Sequence, residues 1–242
     1  MTQRIISGLI GVVLLLAVLL SKHLLGIALV IVVVLALFEI YKPFGFIKRF
    51  PLAIIGFSLG IALNVGNLKN GPFFMFTVCI YIIAMFILAV CYHKTIKFSD
   101  IAILLFTTLY ISLMLAHLRL IRDMEYGNFL LYPVFIGAFV SDTGAYFTGS
   151  FFGKHKLLPE ISPHKTVEGA IGGIVSCVLG FVIYGLVLTW GFHLTVSWVS
   201  IFVIGTASSL AAQMGDLSAS MIKRELNIKD YGSIMPRHGG IL

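Results

Sequence analysis

The sequence predicts an all-α fold, a polytopic membrane helix bundle with about eight transmembrane helices. Composition is the first reason. Of 242 residues, 59% are hydrophobic and only 11% charged, with mean hydropathy +1.05, more apolar surface than a soluble core of this size can hide. The second reason is length: apolar runs of roughly 18 or more residues recur, each near the ~20 needed to cross a bilayer. The runs are continuous, not alternating, so strands are excluded as the main element.

The expected spans lie at roughly 4–20, 24–41, 51–68, 73–92, 99–118, 129–150, 168–190 and 195–214. The first is not a cleavable signal. It begins after a single Arg4, runs to Leu20, and has no small-residue cleavage site behind it. Cys79, Cys91 and Cys177 sit in or at the ends of apolar runs with no CxxC pair, and so read as packing residues.

Basic residues set the expected orientation. Of the 17 Lys+Arg, only Lys22, Lys69, Arg119 and Arg122 fall on one side of the membrane. The remainder, from Arg4 through Lys42, Lys48, Arg49, Lys94 and Lys97 to the C-terminal cluster, fall on the other. The positive-inside bias places the N-terminus and the polar connections of the second half in the cytoplasm, in a multi-pass inner (cell) membrane protein. The net charge of +7 requires no nucleic acid, because topology and anionic headgroups account for it. Two regions are expected. Residues 1–128 form plain N-terminal transmembrane helices, and 129–242 form a transmembrane catalytic region with a cytoplasmic 151–167 loop and a 215–242 tail.

Polar chemistry enters only after residue 129. Asp142 lies inside an apolar run, flanked by Ser141 and Thr143. A carboxylate there costs about 2.5–3.5 kcal/mol or more, so it faces a bundle interior, water or a cation; a structural helix-to-helix bond is the plainer role. Further on, Gln213, Asp216, Ser220 and Lys223 recur at helical spacing, with Arg224 beside them, and so share one face. A carboxylate followed by two cations suits a metal–phosphate site, the acid holding a hard divalent cation and the bases phosphate oxygens. A solvated helix with an intrahelical ion pair is the alternative.

Between these acids, "GKHKLLPEISPHKTVEG" (153–169) interrupts the apolar pattern. Lys154, Lys156, Ser162, Lys165 and Thr166 can surround a polyphosphate, on a loop stiffened by Pro159 and Pro163. Thr166 also suits the N-cap of the next helix, with Glu168 in its first turn. His155 and His164 read as loop surface or phosphate donors rather than metal ligands. Near its end the tail carries "PRHGG", a turn in which His238, Gly239 and Gly240 bring backbone amides close to a ligand. The familiar nucleotide and zinc-protease signatures are missing. "GSFFGKH" lacks Walker A spacing, and no GxGxxG or HExxH occurs.

Taken together, these motifs resemble the phosphatidate cytidylyltransferase (CDP-diacylglycerol synthase) family. Its tail pattern is S-x-x-K-R, four residues, K-D, then a turn into P-G-H-G-G. The matching text here is "SMIKRELNIKDYGSIMPRHGG", Ser220 to Gly240. "SDTGAYFTGSFFGKHKLLPEISPHKTVEG" (141–169) and "QMGDLSAS" are similar to the same family. The resemblance is specific over 129–242; the first half matches only as generic membrane helices.

The resemblance implies transfer of CMP from CTP to phosphatidate, giving CDP-diacylglycerol and pyrophosphate, with Mg²⁺ as cofactor and K⁺ allowed beside it. By the same likeness Asp216 would ligate metal, and Lys223 and Arg224 would hold phosphates. Ser162, Lys165 and Thr166 would bind nucleotide, and Asp142 would be a further site residue. Lys154, Lys156, Ser220, Lys229, His238, Gly239 and Gly240 complete the expected substrate-binding set. Arg237 stands where the family has Gly. The family also continues past the Gly pair into an Asp-bearing segment, whereas this sequence stops at Leu242. The expectation is a truncated form of a longer enzyme, impaired if nothing follows.

Other readings stay open. A CTP-dependent polyprenol or phytol kinase-like enzyme would use a related site. A transporter would also place acids in membrane helices, although no inverted repeat is evident. The Gly56/Gly60 pair allows close packing, including that of a homodimer.

Overall fold

The computed structural model describes residues 11, 14–66, 71–232 and 240. Among these residues the structure is helical apart from one small hairpin: α1 (Lys22–Tyr41), α2 (Phe50–Val65), α3 (Gly71–Cys91), α4 (Phe98–Arg122), α5 (Gly127–Phe152), β1 (Lys156–Leu158), β2 (Ser162–Thr166), α6 (Val167–Gly191) and α7 (Trp198–Glu225). The residues 14–20 are also helical, and the rest of the first expected span lies outside the described residues. Six of the helices, all but α2, are long and apolar enough to cross a membrane. The chain is thus a polytopic all-α membrane protein.

Contacts divide the chain into two compact units, one running to Asn128 and resumed from Ile228, the other Phe129–Asn227. In the first, α1, α2 and α4 pack on one another. Val33, Leu37 and Tyr41 of α1 meet Leu52, Leu59 and Leu63 of α2 in a fully buried layer. The Tyr41 hydroxyl bonds to Thr108 of α4. Gly56 and Gly60 make this approach possible, since a Cβ at either would run into Tyr41 or Leu37. That glycine pair is therefore occupied within the chain and is not the surface a second copy would use. Most of α3 remains uncovered, with only Met85 and Leu88 buried, and its other apolar side chains require lipid as their solvent.

Short devices close the connections. Gly45 adopts φ 73°, a left-handed turn that costs glycine little. Pro51 sits in the first turn of α2, where its missing N–H would have had no helical partner. Arg49 reaches Asp100 at 2.5 Å, and Asp100 also accepts from the Lys97 amide at 2.9 Å, tying the start of α4 to the α1–α2 connection. After the last helix Tyr231 is buried, and burial beside Tyr110 pushes its hydroxyl up to about 12. Gly240, at φ 131°, is buried as well, and a Cβ there would meet the carboxylate of buried Glu39.

In the second unit, α5 packs against α6 through small residues. A Cβ at Gly144 would collide with Ser176, and one at Gly172 with Thr148, so the two backbones approach closely. Helices α5 and α7 are joined by the buried Ser141–Ser209 bond at 2.7 Å. The Cys177 thiol donates to the Gly205 carbonyl at 3.2 Å, consistent with a packing residue.

Two local features differ from the sequence expectation. The 151–167 connection holds an antiparallel hairpin, Lys156 opposite Thr166 and Leu158 opposite Ser162, where a Pro-stiffened loop was expected. Its prolines lie at the turn and next to the start of β2, leaving most ladder donors intact. The expected tail from 215 begins as helix, because α7 runs unbroken to Glu225. At 1.5 Å per residue its 28 residues extend about 42 Å, beyond a ~30 Å hydrocarbon core. Lys223 and Arg224 occupy its last turn, where cations complement the helix dipole.

Candidate active site

A cavity of about 470 Å³ opens within the second unit. One wall is a single face of α5: Asp142, Ala145, Tyr146, Gly149 and Ser150 line it, at the three- and four-residue steps that stack side chains on a helix. The opposite wall is Gln213, Asp216 and Leu217 of α7. The hairpin contributes Leu157, His164, Lys165 and Thr166, and α6 begins at the floor with Gly169 and Ala170.

Charge is concentrated in the middle. Lys165 forms an ion pair with Asp216, and the Asp216 side chain remains 51% exposed. Asp142 lies within electrostatic reach of both. Two carboxylates thus share one ammonium, so part of the acidic charge has no matching cation among the three groups. Such a cluster attracts a further cation.

The framework explains why these groups meet. Thr166 caps α6, its Oγ1 accepting from the Gly169 amide at 3.1 Å. Glycines 149, 153 and 169 surround that hydroxyl so closely that a Cβ on any of them would come within 3.0 Å of it. The hairpin can therefore lie directly against α5. Glu168 accepts from the Lys154 amide at 3.1 Å and from His155 Nδ1 at 2.6 Å, pinning the start of the hairpin to the first turn of α6. At the other end Arg224 Nε donates to the Ile161 carbonyl at 3.2 Å, which holds the hairpin turn against α7. Gln213 Nε2 donates to the Ala170 carbonyl and to Ser209 Oγ, both at 3.1 Å.

Of the residues singled out from sequence, Asp142, His164, Lys165, Thr166, Gln213 and Asp216 come together in this cavity. Lys154 and Lys156 are exposed on the hairpin, and Ser162 is half-buried at the start of β2; none of the three lines the cavity. Ser220, Lys223 and Arg224 continue along α7 beyond the lining residues. Lys229 and Gly240 belong to the first unit. His238, Gly239 and Arg237 lie outside the described residues. Tyr146 and Gly149 were not expected as site residues. The signal for them was available, since they lie four and seven residues from Asp142.

No group of three or more His, Cys, Asp or Glu among the described residues forms a metal cage. Mg²⁺ does not need one, because it characteristically binds one or two protein carboxylates and completes its shell with water and substrate phosphates. Asp142 and Asp216, both facing the cavity, fit that donor chemistry.

Over 150 residues the chain is 37% identical to a phosphatidate cytidylyltransferase of Bacillus subtilis (strain 168), covering 62% of this chain and 54% of that protein. A phosphatidate cytidylyltransferase of Haemophilus influenzae is 39% identical over 125 residues, 50% of this chain and 42% of its own length. One from Staphylococcus aureus (strain COL) is 34% identical over 189 residues, 76% and 70% respectively. The chain thus spans about half the length of the first two of these relatives. The model of the cytidylyltransferase family matches residues 2–242, and the chain belongs to that family.

Proposed function

We propose that the protein is a phosphatidate cytidylyltransferase, a nucleotidyltransferase of phospholipid biosynthesis that moves CMP from CTP to phosphatidate. The observation that carries this reading is the meeting of Lys165, Asp216 and Asp142 in one cavity, in a member of a cytidylyltransferase family. A phosphate oxygen of phosphatidate attacks the α-phosphorus of CTP. The new P–O bond forms as the bond to the β-bridging oxygen breaks, and pyrophosphate leaves with that electron pair. Such chemistry depends on positioning and charge neutralisation more than on a covalent nucleophile.

Bound Mg²⁺, with K⁺ allowed beside it, supplies charge neutralisation for the triphosphate. Asp216 and Asp142 are the residues that would hold it. Lys165 would hold a phosphate oxygen of the bound nucleotide, with Thr166 and His164 beside it in the cavity lining. Lys223 and Arg224 lend positive potential to the approach of CTP from the cytoplasmic side of the inner membrane. The lipid reaches the site laterally between helices.

The test is turnover by the full gene product in phospholipid nanodiscs, using CTP labelled at the α-phosphate. Label is expected in lipid, with pyrophosphate released, only when Mg²⁺ and phosphatidate are both present. Asp216→Asn is expected to lower turnover about 10²-fold or more; undiminished turnover would remove Asp216 from the mechanism. Lipid labelled from γ-labelled CTP instead would favour the kinase-like alternative, and substrate flux without nucleotide turnover a transporter.

A further inference from the structure

A second cavity, of about 400 Å³, lies wholly within the first unit. It is formed by the start of α1, the end of α2 and the end of α4. Lys22, His23 and Arg119 stand at its polar end, and the remainder is a groove along α1. The groove follows two rows of residues four apart, Lys22–Gly26–Val30 and His23–Ile27–Ile31, which are adjacent ridges of one helix. Lys22 to Val30 covers about 12 Å of helix, so the groove descends from a cationic rim into the depth of an apolar span.

Gly26 is central to the groove. A Cβ there would meet nothing within 4 Å, so this glycine is not required by packing in the way that Gly56 and Gly60 are. Its absent side chain leaves the groove open. Arg119 is firmly placed, because its Nη1 donates to the Asn64 and Val65 carbonyls at 2.7 and 3.2 Å. Both bonds use one nitrogen of a fork carrying five N–H donors. Ile27 and Ile31 are 61% and 53% exposed in a span that needs an apolar neighbour.

We propose that this groove binds one anionic phospholipid, its phosphate held by Lys22, His23 and Arg119 and an acyl chain lying over Gly26 beside Ile27. Charge complementarity selects the occupant: a cationic rim at a helix end, continuous with an apolar trough, matches a phosphodiester joined to a hydrocarbon chain. A zwitterionic lipid would bring its own cation to the rim, and free phosphate would leave the trough unfilled. This site shares no residue with the proposed active site, and its occupancy does not depend on the reaction.

The experiment uses the purified full chain in a neutral detergent, with dioleoyl phosphatidylglycerol as the probe, an anionic lipid distinct from the proposed substrate. Saturating phosphatidylglycerol is expected to raise the melting midpoint by about 5 °C. Phosphatidylcholine, inorganic phosphate and glycerol 3-phosphate are expected to give no comparable rise. Gly26→Phe, which fills the trough, and Lys22→Gln, which removes a rim charge, are each expected to abolish most of the shift. Arg119 is left intact because it also braces α2. Native mass spectrometry should show one tightly retained phosphatidylglycerol in the parent and its loss in Gly26→Phe. An equal shift with phosphatidylcholine or with free phosphate, or a full shift in Gly26→Phe, overturns the proposal.

Discussion

Thr166 is where local and tertiary demands meet most closely. Its side chain caps α6 and lines the cavity, so a substitution there acts in two ways. Thr166→Ala is expected to cost about 1 kcal/mol of stability through the lost cap, read as a lower denaturation midpoint. Thr166→Ser, which keeps the capping oxygen, should recover most of it. Asp142 tests the other half of the site. If it shares a cation with Asp216, Asp142→Asn should raise the Mg²⁺ concentration giving half-maximal turnover about tenfold or more. A fall in maximal rate with no change in Mg²⁺ dependence would restrict Asp142 to a structural role such as the hydrogen bonding typical of membrane helices.

The hairpin is the decisive element. Two strands and their turn are fastened at one end by Glu168 and at the other by Arg224, and Lys165 projects from β2 to Asp216 between them. Arg224 thus has a bracing contact in addition to any contact with substrate phosphate. Arg224→Ala is expected to make the turn at residues 159–161 several-fold more sensitive to protease, together with a loss of turnover. An unaltered cleavage rate would leave phosphate binding as its sole role. The sequence marked this connection as polar and Pro-punctuated but did not show that it pairs with itself. The ladder is only a few residues long, and its stability comes from lying on α5 and α6, where Gly149, Gly153 and Gly169 leave room for it.

At the scale of the whole molecule, the proposed orientation puts Lys154 and Lys156 on the same side of the membrane as Lys94, and opposite Arg122. Single cysteines introduced at Lys154 and at Glu125 in a chain lacking its native cysteines are expected to react with an impermeant maleimide from opposite sides. Labelling of position 154 from outside intact cells, with position 125 protected, would reverse the orientation and remove the site from the cytoplasmic nucleotide pool. The small-residue seam between α5 and α6 is a second property at this scale. Gly144→Val would force a branched side chain into Ser176, and a drop in folded yield is the expected result.

The sequence alone determined the membrane class, the approximate spans, and the residue types that make a phosphate site plausible. Hydrophobic run length and helical spacing are local properties, written directly along the chain. It also placed Asp142 and Asp216 on helices, since an acid in an apolar run has few roles open to it. Only the tertiary structure decided that Lys165 reaches Asp216, that Lys154 and Lys156 stand away from the cavity, and that Gln213 belongs to its wall. Those outcomes depend on which helix faces meet and how closely. Glycine and serine contacts between α5, α6 and α7 set that distance, and spacing within a single helix carries no information about the face across from it.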